Sequence, residues 1–103
     1  MKKKVQHIYY QVLKAVLRHS SIPLAHLRKS RTLECCVARA VLILTLLQLG
    51  ITEPTIRQLT NMSQQRVNYI KNTPATRSGS MEARILRRQV WNDVKYLKRD
   101  EED

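Results

Sequence analysis

The sequence predicts an all-α fold, a compact helical bundle of five to six helices that contains a helix-turn-helix. Three observations predict it. Apolar residues recur at three- and four-residue steps, and no segment alternates with period two for long enough to make a strand. Gly50, Gly79, Pro23, Pro54 and Pro74 all fall where a helix would start or stop. A chain of 103 residues makes about one domain with one modest core, too short for a nucleotide-binding module beside it. That domain is expected over residues 1–99, followed by an acidic tail at 100–103 that frays.

The first helix is expected over residues 3–19, where Val5, Ile8, Val12 and Val16 form a stripe widened by Tyr9, Leu13 and Leu17. Ser20 or Ser21 can cap a short second piece with Pro23 in its first turn, held by Leu24 and Leu27. The basic loop "RKSRT" follows, from Arg28 to Thr32. A third helix over residues 33–49 is apolar almost all round from Val37 onward, so neighbours should surround it, and Gly50 ends it. Thr52 is the expected N-cap of the fourth helix, with Glu53 at its positive end, Pro54 in its first turn, and Ile56 and Leu59 buried. It runs to about Thr60.

Asn61 then marks a break, because asparagine tolerates the left-handed conformation better than most residues. Ser63 can cap a fifth helix over residues 64–72, with Val67 and Ile70 inward and Met62 bracing its start. "TPATRSGS", residues 73–80, reads as a linker whose last serine caps the final helix. That helix runs from Met81 to Arg99 on a stripe of Ala83, Leu86, Val90, Val94 and Leu97, with Trp91 at one margin.

The formal charge is +11, which favours a polyanionic partner, nucleic acid before a merely solvated surface. No acidic residue lies between Pro54 and Met81. The most apolar run, residues 37–49, is too short to span a bilayer and carries Arg39 and Gln48. No signal peptide fits the basic, tyrosine-bearing start. Cys35 and Cys36 are adjacent, a spacing at which a mutual bridge is rare, and packed, reduced thiols in a cytoplasmic protein are expected.

The stretch "TIRQLTNMSQQRVNYIKN" carries the functional expectation. A helix-turn-helix needs an inward apolar residue on its first helix, a turn residue able to take a positive φ, an apolar residue next, and two apolar anchors on the second helix. Ile56, Asn61, Met62, Val67 and Ile70 fill these places, although Arg57 falls where a small residue facing the second helix is usual. The outer face of the second helix offers Gln64, Gln65, Arg66 and Asn68, side chains that suit adenine and guanine edges. Tyr69 sits beside that face, where it could touch phosphate or sugar, and Lys71 can reach the backbone.

The order "IYYQVLKAVL", "SIPLAHLRKSR", "VARAVLILTLLQLG", "ITEPTIRQLT" and "SQQRVNYIKN" resembles the C-terminal DNA-binding domain of the bacterial chromosomal replication initiator (DnaA type, domain IV), over roughly residues 8–97. The resemblance implies a Trp-repressor-like helix-turn-helix in a major groove and a basic loop in the adjacent minor groove. Arg28, Lys29 and Arg31 are then the minor-groove and phosphate candidates, and Arg39 lies near the DNA backbone. Two departures stand out. The family's Asp-His-Thr-Thr-Val signature corresponds here to residues 63–67, where only Val67 agrees, and its Gly-Gly turn is replaced by Asn61 and Met62. Recognition of the initiator's own DNA boxes does not follow, and without a Gly-x-x-x-x-Gly-Lys-Thr loop neither does its ATPase. The resemblance implies a freestanding, divergent relative.

His7, His19 and His26 are too scattered for a helix-borne metal pair, and no Ser/His/Asp or Cys/His constellation is visible. The expectation is a binding protein and not an enzyme, with no cofactor and no membrane partner. It is expected to be a transcription or replication regulator in the bacterial cytoplasm, associated with the nucleoid. The competing expectation is an interaction module that meets a second copy or another protein through the helix from Met81 to Arg99 and its basic faces. RNA binding is weaker, since exposed aromatics for stacking unpaired bases are few.

Overall fold

The computed structural model describes residues 3–72 and 81–102, and of residues 99–102 the backbone only. Six α-helices follow one another: α1 (Lys3–Ser20), α2 (Leu24–Lys29), α3 (Leu33–Gln48), α4 (Glu53–Thr60), α5 (Gln64–Asn72) and α6 (Met81–Val94). A 3-10 helix, Lys95–Glu102, continues α6. No strand occurs among the described residues.

The protein is an all-α bundle, and α3 is its axle. Residues 38–46 of α3 are buried without interruption, so the helix has no wet face there, and it touches every other α-helix. Around it, α1 buries Ile8, Val12, Leu13, Ala15 and Val16. From the opposite end of the sequence, α6 contributes Ala83, Leu86, Val90 and Val94, and Leu97 extends that stripe into the 3-10 helix. These registers are the ones the three- and four-residue spacing predicts, because burying one stripe per helix is what repays the ordering of the chain.

The turns follow from local chemistry. Gly50 takes φ 94°, its N–H donates to the Leu47 carbonyl at 3.0 Å, and the Ile51 N–H donates to the Leu46 carbonyl at 3.1 Å. This pair of bonds closes α3 and turns Ile51 back into the core. The Thr32 hydroxyl caps α3 by accepting from the Cys35 N–H at 3.3 Å.

Several local expectations are corrected. Neither Ser20 nor Ser21 caps α2: Pro23 holds that place, the Ser20 hydroxyl accepts from the Ile22 N–H, and Ser21 takes φ 59° to end α1. Thr52 stands at the N-cap of α4 as expected, but its hydroxyl makes no cap bond and lies 2.9 Å from the Thr55 hydroxyl instead. Leu24 is exposed, leaving Leu27 alone to anchor α2. Cys35 is packed, but Cys36 is exposed, one helical step round α3. The α-helix from Met81 stops at Val94, short of the expected Arg99, and Lys95–Glu102 continues as a 3-10 helix. The linker and the capping role of Ser80 lie outside the described residues.

Candidate nucleic-acid interface

The basic segment is half helix, half loop. Arg28 and Lys29 complete the last turn of α2, and only Ser30, Arg31 and Thr32 connect it to α3. The Ser30 hydroxyl accepts from the Thr32 N–H at 3.3 Å, and the Ser30 N–H donates to the His26 carbonyl at 2.8 Å. This short connection holds Arg31 outward between two hydrogen-bonded neighbours. Arg28, Lys29 and Arg31 are exposed, and none of the three forms an ion pair among the described residues.

Arg39 departs from its expected place on the DNA backbone. It is only 5% exposed, and its Nη1 donates to the Leu27 carbonyl at 2.8 Å while its Nη2 donates to Cys36 Sγ at 3.2 Å. Leu27 stands in the last turn of α2, where carbonyls lack an intrahelical donor, so a cation from α3 is drawn to it. Arg39 therefore fastens the basic segment to the bundle.

The second feature is the corner between α4 and α5. Asn61 takes φ 58° and ψ 34°, the left-handed turn that its residue type suggested, and its N–H donates to the Arg57 carbonyl at 2.8 Å. The Ser63 hydroxyl caps α5 by accepting from the Arg66 N–H at 3.2 Å. Ile56, Val67 and Ile70 are buried, which fixes the rotation of both helices. Gln64, Gln65 and Arg66 are consequently exposed and Asn68 is half-buried at the margin. Arg57 is exposed.

Tyr69 is 69% exposed beside this face. Lys71 is not an unengaged cation: its Nζ lies 2.9 Å from Glu53 Oε1, joining the end of α5 to the start of α4. The lysine is half exposed, so the pair is worth about 1 kcal/mol or less and can open.

One surface groove brings the two features together. Arg28, Lys29, Arg31 and Arg39 line one part of it, and Thr60, Asn61, Met62, Ser63 and Arg66 line another. Its lining holds five cations and no acid. Tyr9, Leu59 and Met62 also line it; Tyr9 is by type able to stack on a base, although its helical stripe places it in the core before that. Glu34 and Glu82 line a different groove with Leu33, Val37 and Ile85. On α3 the two grooves use opposite faces, since Leu33, Glu34 and Val37 are about half a turn from Arg39 and Leu42 at about 100° per residue.

His7 and His26 are exposed, and His19 Nε2 lies 2.7 Å from Asp93 Oδ2 between α1 and α6. No group of three or more His, Cys, Asp or Glu is placed to hold a metal ion among the described residues. No helix among them is long and apolar enough to cross a membrane. Comparison of the chain with protein-family models, with curated proteins and with solved structures finds no match in any of the three.

Proposed function

We propose that the protein binds double-stranded DNA selectively by sequence, with α4 and α5 as a helix-turn-helix and the basic α2–α3 segment beside it. One observation carries the reading: a single acid-free groove is lined both by Arg28, Lys29 and Arg31 and by the α4–α5 turn with Arg66. A duplex lying across that groove would meet both features at once.

On this reading Gln64, Gln65 and Arg66 reach base edges in a major groove, with Asn68 at the margin. Arg28, Lys29 and Arg31 serve the adjacent minor groove and phosphates, Tyr69 and Lys71 flank the backbone, and Arg39 positions the loop without touching DNA. The resemblance of the sequence to the initiator-type binding domain supports the same reading. The biological role that follows is transcription or replication control at the bacterial nucleoid, by binding and not by catalysis. Selection of bound oligonucleotides from a random duplex pool tests it. A defined motif that loses one position in Arg66→Ala is expected, and recovery of no enriched sequence would defeat the selective reading.

A second reading, a protein-interaction module, is favoured by the exposed Leu33, Met81 and Ile85. Solution mass with and without duplex separates the two.

A further inference from the structure

Arg39 is 5% exposed, yet no carboxylate among the described residues accepts from it; its partners are a carbonyl and a sulfur. A buried cation is ordinarily matched by an opposite charge. This one lines the groove, where Arg31 and Arg66 also stand. Beside these cations and the polar Thr60, Asn61 and Ser63, the lining has an apolar part made of Tyr9, Leu13, Leu59 and Met62. The groove, half open to solvent, has a volume of about 710 Å³, within the range of about 300–1,000 Å³ typical of small-ligand sites.

A ligand that matches both halves carries an anionic head on a flat, weakly polar body. Guanidinium groups receive phosphate oxygens in pairs, and a tyrosine ring stacks on a base. We propose that this groove binds a free nucleoside phosphate. Its phosphate sits toward Arg39, Arg31 and Arg66, and its base lies against Tyr9 and the neighbouring aliphatic side chains. Because Arg31 and Arg66 are also the cations assigned to DNA, the nucleotide displaces duplex. The displacement rests on the DNA-binding reading; the binding itself does not.

The test is calorimetric titration of the full chain with AMP, GMP and inorganic phosphate, followed by displacement of a labelled duplex with the same three probes. Saturable binding of AMP or GMP about tenfold tighter than inorganic phosphate is expected. Arg66→Ala, at an exposed position, should weaken the nucleotide by about tenfold, and Tyr9→Leu should weaken it while leaving phosphate unchanged. Equal affinity for nucleotide and phosphate overturns the proposal, as does nucleotide binding indifferent to both substitutions. Duplex binding with no nucleotide binding removes this site and leaves the DNA reading intact. Nucleotide binding with no duplex binding does the reverse.

Discussion

The Arg39 guanidinium donates to the Leu27 carbonyl at 2.8 Å across the α2–α3 junction. The bond turns a charged side chain on the central helix into the fastening of the basic segment. Replacing Arg39 by Met should leave that carbonyl without its donor and cost about 1–3 kcal/mol in urea unfolding. Arg39→Lys should recover only part, because an ammonium lacks the fork that reaches Leu27 and Cys36 together. Amide exchange at Ser30 to Thr32 should quicken in both variants.

Asn61 holds a left-handed turn at φ 58°. A β-branched residue there meets its own backbone, so Asn61→Val should cost about 1–2 kcal/mol in denaturant unfolding. Asn61→Gly should leave the midpoint close to that of the parent. Equal loss in both would mean that the asparagine side chain, and not the backbone angle, matters at this corner.

The Thr45 hydroxyl is fully buried and has no hydrogen-bond partner among the described residues. Thr45→Val keeps the shape and removes the unsatisfied group, so thermal unfolding should show a gain of about 1 kcal/mol. A loss would reveal that the hydroxyl is satisfied in solution.

The α1–α6 contact contains both an ion-pair cluster, Arg18 and His19 on Asp93, and fully buried valines. The cluster is partly solvated, so Asp93→Asn should cost under about 1 kcal/mol. Val90→Ala removes two buried carbons, about 0.8 kcal/mol each by transfer, plus the cavity left behind, so about 2 kcal/mol is expected. Unfolding midpoints that rank the two substitutions the other way would place the stability of this contact in its charges.

The helices and their buried faces were legible because their signals are local. Val5, Ile8, Val12 and Val16 repeat with the pitch of a helix, and Asn61 and Gly50 mark turns through their own backbone preferences. The outward face of α5 followed from Val67 and Ile70, since anchoring one side of a helix exposes the other. What local pattern could not give is which long-range neighbour a polar group meets. Arg39 looks like a surface cation by type, although the apolar residues all round it were a sign that its position is enclosed. Thr52 has the right residue type for a cap, but a second hydroxyl at Thr55 competes for it. Tyr9 and Met62 were read from α1 and the turn separately, and the groove they share exists only once both elements pack on α3.

The central claim is that the basic segment and the α4–α5 corner act together on one polyanion. Duplex affinity measured across a salt series, for the parent and for Arg31→Ala with Arg66→Ala, tests it most directly. Affinity falling steeply with salt in the parent, with a shallower slope when both cations are removed, is the predicted result. An affinity that stays level from low to physiological salt, or a slope unchanged by the double substitution, would contradict it.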